Sequence, residues 1–211
     1  MKHLIIIGAR GAGRETFYTA TNSIGYGTDF DIKGFLDDKT DALDGYSVYP
    51  PIICSVEDYI IMEDDVFICA LGDPKWRKHY VSIIMQKKGQ FTTLIDKRAS
   101  IGVNAKIGVG CVIREFSIIS CDVTIGNHVY IQPFSVLGHD AVVGNFCHLN
   151  TNAFMGGFSI MEDFSIIHTH GALLPHKTLS QNGIIGAGAV ATRNVKKGIT
   201  VIGNPAKKLD Y

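Results

Sequence analysis

Six histidines crowd the second half of this 211-residue chain, at His128, His139, His148, His168, His170 and His176. Imidazole titrates near neutrality and is the side chain most often used to take a proton from an attacking amine or hydroxyl. His139 is the candidate general base. Gly138 precedes it, and Asp140 follows with a carboxylate that can hold the ring in one tautomer and steady the imidazolium. Eighteen residues beyond His139 lies Gly157, preceded by Gly156, a pair that leaves space and bare N–H groups for a reacting carbonyl. Gln132, Asn150 and His168 share the same eighteen-residue spacing and read as a polar structural column. A second candidate lies at the other end, where Gly8-Ala9-Arg10-Gly11-Ala12-Gly13 follows the apolar run Leu4–Ile7. A strand that ends in glycines ahead of a helix makes a phosphate site, because the helix N-terminus presents free N–H groups. The third glycine of a full dinucleotide fingerprint is replaced by Thr16, so a nucleoside diphosphate suits the turn better than NAD.

The histidines sit on a scaffold with a strict period. From Ile101 to Ile185 every sixth residue is apolar, without insertion or deletion. Glycine follows the apolar residue in many hexads, including Gly102, Gly138 and Gly186, which places it where the backbone is expected to turn. The residue four after the apolar one is Ala, Cys, Ser, Val or Gly in every hexad except that of Lys177. A period of six fits neither a helix nor one extended strand. It predicts short strands joined by two-residue corners, each strand turning one large and one small side chain inward. Three strands close a triangular coil of eighteen residues, and the whole repeat makes about five coils of a solenoid. His139, two residues past the inward Leu137, is then expected to project outward with Gly157 stacked beside it.

Residues 1–95 follow a different pattern. Strand Leu4–Ile7, a helix from Arg14 to about Asn22, strand Ile32–Leu36 ending in Asp37-Asp38, strand Val66–Leu71, a helix from Pro74 to about Lys87 and strand Phe91–Ile95 alternate as in a parallel α/β sheet. Asp73 is a suitable N-cap and Pro74 a suitable first helical residue. The reading is therefore a Rossmann-like domain over 1–95, a parallel β-helix over 96–190 and a tail over 191–211.

The hexads resemble the hexapeptide-repeat acyltransferases, whose fold is a left-handed parallel β-helix. Three further stretches resemble one branch of that family: Gly8-Ala9-x-Gly11-x-Gly13, Gly34-Phe35-Leu36-Asp37-Asp38, and Ala70-Leu71-Gly72-Asp73 with Arg77. The branch holds bacterial nucleotide-sugar N-acetyltransferases, notably of 4-amino sugars for surface glycans and glycoproteins, and the sialic acid O-acetyltransferase. The resemblance implies that Arg10, Gly11, Ala12, Asp37 and Asp38 face a nucleotide sugar. It implies that His139 and Asp140 form the catalytic pair, Asp140 standing where relatives carry Glu, and that His148 contacts acetyl-CoA. Gly157, Ala187 and Lys207 join that coenzyme contact, because Gly203-Asn204-Pro205-Ala206-Lys207 resembles the segment that lies along coenzyme A. It also implies a homotrimer. Ala12 and Gln132 depart from the family, which more often has His and Asn there.

Composition narrows the alternatives. Twenty basic residues balance twenty acidic ones, so nothing provides the basic surface that nucleic acid binding needs. The apolar N-terminal run is too short for a signal peptide or membrane span. Five cysteines without CxxC spacing point to a reducing cytoplasm, with Cys111 and Cys147 as buried thiols on the small inward position. A zinc hydratase on the same β-helix needs two histidines five apart plus a third. The spacings here are nine (His139 to His148) and two (His168 to His170), so no metal is expected. The expected activity is acetyl-CoA-dependent N-acetylation of a nucleotide-activated amino sugar. O-acetylation of a sugar and a non-catalytic nucleotide-binding scaffold are the alternatives.

Overall fold

The computed structural model describes residues 1–209. The chain divides into two compact units, Met1–Lys97 and Arg98–Tyr211. In the first, strands β1 (Lys2–Ile7), β2 (Phe30–Leu36), β3 (Ile52–Cys54), β4 (Asp65–Cys69) and β5 (Gln90–Phe91) form one parallel sheet in the order β3-β2-β1-β4-β5. Helices α1 (Gly11–Thr21) and α2 (Pro74–Gln86) accompany it, and Leu4, Ile5, Ile6, Phe35, Leu36, Phe67 and Ile68 form its core. The order reverses beside β1, the point at which open α/β sheets leave a crevice at the carboxyl ends of their strands.

Three details differ from the sequence expectation. Edge strand β3 was not expected, because three residues after Pro50-Pro51 carry no usable period. Helix α1 begins at Gly11 rather than Arg14, since the Arg14 N–H already reaches the Arg10 carbonyl (2.9 Å) and the glycine turn becomes the first helical turn. The expected strand Phe91–Ile95 is broken at Thr92-Thr93, and Leu94–Ile95 forms a separate short strand. Asp73 caps α2 through the N–H groups of Lys75 (2.7 Å) and Trp76 (3.2 Å).

In the second unit, fifteen two-residue strands from Ser100–Ile101 to Ile184–Ile185 recur every six residues, three to a coil. From Ser100–Ile101 to Ala172–Leu173 every strand pairs in parallel with the one eighteen residues on, as Val136–Leu137 does with Phe154–Met155, so the coils make three flat faces; the last, Ile184–Ile185, pairs with Thr200–Ile202. His139 lies at the corner between the first face (Val136–Leu137) and the second (Val142–Val143); His148–Leu149 is on the third. The interior alternates large and small residues as expected: Leu137, Val143, Leu149 and Met155 are buried, with Ala141, Cys147 and Ala153 between them. Ile101, in the first coil, is instead 39% exposed. Val190–Ala191 and Thr200–Ile202 continue the first and third faces, and Lys207–Lys208 returns antiparallel to the latter. No helix among the described residues is long and apolar enough to cross a membrane.

The corners turn in an unexpected way. The left-handed residues are not the glycines after the inward apolar residue but the residues two places later. All fifteen such positions from Asn104 to Gly188 have φ near +60°, and only Gly110 and Gly188 among them are glycine. Five are phenylalanines (Phe116, Phe134, Phe146, Phe158 and Phe164), for which this conformation costs about 1 kcal/mol or more each. Stacking in columns offsets part of that cost: Phe146 lies on Phe164 with ring centroids 5.3 Å apart and planes at 1°, and Phe116 on Phe134 at 5.1 Å. Glycines such as Gly138 are required instead by the closeness of the next coil, since a Cβ there would fall 2.6 Å from the Gly157 nitrogen.

One buried polar cluster ties the first unit together. Lys33 Nζ donates to Asp65 Oδ1 and to the Tyr59 hydroxyl (both 2.8 Å), while Tyr59 and the Met62 N–H both donate to Asp65 Oδ2 (both 2.7 Å). Burial pushes the Asp65 carboxyl upward, but the hydrogen bonds from Lys33, Met62 and Tyr59 outweigh it and hold it below its ordinary value of 3.8. A carboxyl with a lower pKa in the folded state gives stability that is complete above the unfolded pKa and is lost as pH falls through the folded one. Asp65→Asn should therefore lower stability at neutral pH by about 1–3 kcal/mol. It should also flatten the fall of the unfolding midpoint in acid. Thermal melts from neutral pH down to about pH 2 check this, and an unchanged acid slope would contradict it.

Candidate functional site

The repeat carries His139 outward, as expected. Its imidazole is 55% exposed, and Nδ1 lies 2.8 Å from Asp140 Oδ2. Asp140 occupies the left-handed corner (φ +57°), which is what brings its carboxylate back beside the preceding residue. One coil on, Gly157 passes directly against the ring: a Cβ there would lie 2.7 Å from His139 Nε2. The next residue, Phe158, meets the imidazole edge-on with centroids 5.1 Å apart, and itself stacks on His176 at 5.0 Å. The ring is thus held by a carboxylate on Nδ1, bare backbone beside Nε2 and an aromatic edge. Sequence reasoning missed Phe158, because a corner phenylalanine carries no catalytic signal.

The other candidates on the β-helix lie elsewhere. His148 is buried on the third face, paired in register with Tyr130 and Ile166, its ring 5.3 Å from that of Tyr130. Ala187, exposed at a corner between the third and first faces, adjoins the tail: the Gly186 N–H bonds the Val201 carbonyl (2.8 Å) and the Ala206 N–H the Val190 carbonyl (2.8 Å). Lys207 is exposed on the returning strand. Within one chain, then, Ala187 and Lys207 share one end of the solenoid, while His139 and His148 lie away from each other on different sides. Of the polar column, Gln132 accepts from Arg114 Nη1 (2.8 Å), a partner not anticipated, and Asn150 donates to the Ile167 carbonyl (3.3 Å). His128 is buried on the ring of Phe146, whereas His168, His170 and His176 are exposed. Among the described residues no group of three or more His, Cys, Asp or Glu is arranged to hold a metal ion.

The first unit has a cavity of about 200 Å³ at the carboxyl ends of β1, β2 and β4. Arg10, Ala12, Asp37 and Asp38 line it, together with Gly8, Gly13, Leu36, Leu71 and Tyr80. Gly11, at the start of α1, is absent from the lining. Gly13 does the work of a close-packing glycine, since a Cβ there would overlap the Gly8 carbonyl oxygen at 2.0 Å. Asp37 Oδ2 accepts from the Ala9 N–H (2.8 Å), which pins the glycine turn to the end of β2. Buried Arg77 donates to the Leu71 carbonyl (2.8 Å) and fixes the opposite wall. Tyr80 is a further lining residue that the sequence did not announce; its hydroxyl donates to Asp38 Oδ2 (3.0 Å).

Comparison with known proteins agrees with this architecture. The model of the PglD N-terminal domain matches residues 3–84. The model of the GMPPB C-terminal domain matches residues 81–204, more than half of the 211 residues. The chain belongs to that hexapeptide-repeat family. The two matches in tandem fit its nucleotide-sugar N-acetyltransferase branch, and the repeat is the left-handed β-helix of that family. Among solved structures, the acetyltransferase domain of PglB from Neisseria gonorrhoeae FA1090 is 27% identical, with a TM-score of 0.90 over 99% of this chain and 100% of that one. The same domain solved with acetyl coenzyme A is 26% identical, with a TM-score of 0.89 over 99% of each chain. PerB from Caulobacter crescentus, solved with CoA and GDP-perosamine, shares the fold at 18% identity and a TM-score of 0.76, over 100% of this chain and 98% of that one. No curated protein sequence matches the chain.

The contact between Gly157 and the imidazole gives a direct test. Gly157→Ala must displace the His139 ring and loosen its bond to Asp140, while the exposed corner leaves the ring room to move. Turnover should fall at least about tenfold, with the melting temperature nearly kept. An alanine variant with wild-type turnover would show that this packing is incidental.

Proposed function

We propose that the chain is an acetyl-CoA-dependent N-acetyltransferase acting on a nucleotide-activated amino sugar, with His139 as general base. The observation that carries this reading is the His139–Asp140 pair at 2.8 Å, set against Gly157 on an outward corner of the β-helix. The full-length likeness to a domain solved with acetyl coenzyme A supports the choice of acyl donor. Asp140 accepts from Nδ1–H, so Nε2 is the nitrogen left to take a proton from the sugar amine. As the amine nitrogen attacks the thioester carbonyl, the N–C bond forms and negative charge gathers on the oxygen, where the Gly157 N–H is a candidate donor. Collapse breaks the C–S bond, and the proton held by His139 goes to the departing thiolate. No covalent enzyme intermediate is needed, because both substrates are bound together.

The proposed division of labour follows the domains 1–95, 96–190 and 191–211. The nucleotide occupies the pocket with Arg10, Ala12, Asp37 and Asp38, and the start of α1, with the N–H groups of Gly11 and Ala12, suits the diphosphate. The acyl donor lies on the β-helix, with His148, Gly157, Ala187 and Lys207 in contact, the lysine suited to coenzyme phosphates. Because His139 lies apart from His148, Ala187 and Lys207 within one chain, a neighbouring copy has to complete the site. A homotrimer about a threefold axis does this and covers the exposed corner from water. Five free cysteines, together with these metabolites as substrates, suit the cytoplasm.

His139→Ala should lower kcat by roughly 10²- to 10⁴-fold, the usual worth of a positioned general base, and leave acetyl-CoA affinity and the melting temperature nearly unchanged. Asp140→Asn should cost less, since it only orients the ring. Near-normal turnover of His139→Ala would move the base elsewhere. Sedimentation at micromolar concentration should show a trimer, and a stable, active monomer would overturn the shared site.

A further inference from the structure

Two adjacent carboxylates line the cavity of the first unit, and their surroundings give them different tasks. Both oxygens of Asp37 are committed to backbone, Oδ2 to the Ala9 N–H (2.8 Å) and Oδ1 to the Lys39 N–H (2.9 Å). Asp37 is therefore a clamp that joins the glycine turn to the loop after β2. Asp38 is bound on one side only: Oδ2 accepts the Tyr80 hydroxyl at 3.0 Å, and Oδ1 accepts no hydrogen bond from the described residues. Arg10, Asp37, Asp38 and Tyr80 are the polar side chains of the lining, and the remainder is glycine or apolar. Once Asp37 is set aside, Asp38 is the carboxylate of the lining with an oxygen that no described residue already bonds.

The chemistry of such a group is specific. A carboxylate at the end of the second strand, across from a glycine turn and a helix N-terminus, is placed to accept from a sugar hydroxyl of a bound nucleotide. Asp38 is exposed in the free protein, and a bound nucleotide would cover it; a site built around a hydroxyl discriminates against the analogue that lacks it, because the covered acceptor is then left unpaired. Tyr80 decides how well the acceptor is aimed. Its hydroxyl has one proton to give and gives it to Asp38, across from α2 to the end of β2. Burial, and then the bond to Asp38, push the phenol up to about 12, so it stays a donor at any ordinary assay pH.

We propose that Tyr80 is a specificity-determining residue: it holds Asp38 so that the carboxylate accepts from the ribose 2′-hydroxyl, and the protein selects ribonucleotide-linked sugars over 2′-deoxyribonucleotide-linked ones. The proposal rests on the nucleotide-sugar reading and narrows its substrate class. The pocket is then a reader of the ribose as well as a holder of the diphosphate, and Tyr80 acts on the ligand through Asp38.

The test is calorimetric titration of the full chain with UDP, GDP and ADP, each beside its 2′-deoxy counterpart. The best ribonucleotide should bind at least about tenfold tighter than its deoxy form, the worth of one hydrogen bond to a charged acceptor. Tyr80→Phe keeps the ring and removes only the hydroxyl. It should bring that ratio toward one by weakening the ribonucleotide alone, with acetyl-CoA binding and melting temperature retained. A tyrosine that merely packs the wall would weaken both forms equally. Asp38→Asn gives an independent reading of the same contact should the phenylalanine variant fold poorly. Equal binding of ribo and deoxy forms by the unaltered chain would overturn the proposal, as would a Tyr80→Phe variant that keeps the full ratio. If no nucleoside diphosphate of either kind binds, the nucleotide-sugar reading itself fails.

Discussion

One left-handed residue at every sixth position governs the larger half of this molecule. Between Asn104 and Gly188 the chain turns through φ near +60° at every corner, and each coil then lies on the last, about 4.8 Å away. An added or missing residue would carry every later side chain off its face, so the period cannot slip. This constraint explains residues whose types are unusual for a left-handed turn. Asparagine and aspartate tolerate the turn, whereas phenylalanine does so only because its ring stacks on the coil next door, as Phe146 does on Phe164. It also explains the glycines beside the inward residues, which exist to let neighbouring backbones pass.

The candidate catalytic corner is a local use of the same constraint. Asp140 is one of the left-handed residues, and that conformation sets its carboxylate 2.8 Å from His139. Gly157 is one of the close-passing positions, and its missing Cβ is the space in which the imidazole sits. The proposed base, its orienting carboxylate and the bare N–H are therefore supplied by three positions of the repeat, with no loop built for the purpose. The first unit solves its own problem by other means. There a glycine turn, a clamping aspartate and a topological switch point make a largely apolar crevice with a few polar side chains at the end of a parallel sheet.

Much of this was legible in the sequence. A period of six over fifteen hexads specifies a β-solenoid, its inward pairs and the outward direction of His139, because each follows from counting. The glycine-ended first strand and Asp37-Asp38 likewise pointed to the pocket that they line. What was not legible depends on contacts between residues far apart. The corner residue was misplaced by two positions because glycine is the usual mark of a turn, and here Phe, His, Asn and Asp take it under the support of adjacent coils. Tyr80 was invisible because its role depends on α2 meeting the end of β2, and Arg114 because its partner Gln132 is one coil away. The three-residue β3 has too little sequence to show a period.

In the proposed function His139 of one chain works with His148 and the coenzyme surface of another, since a single chain holds the two histidines on different sides. Mixing two inactive variants tests this most directly. His139→Ala and His148→Ala chains, dissociated and reassembled together in equal amounts, should regain activity, because about one quarter of the interfaces then pair an intact His139 with an intact His148 from its neighbour. Unaltered chains taken through the same procedure set the scale. Reassembled mixtures that stay as inactive as either variant alone, while the unaltered chains recover, would contradict a site shared between subunits.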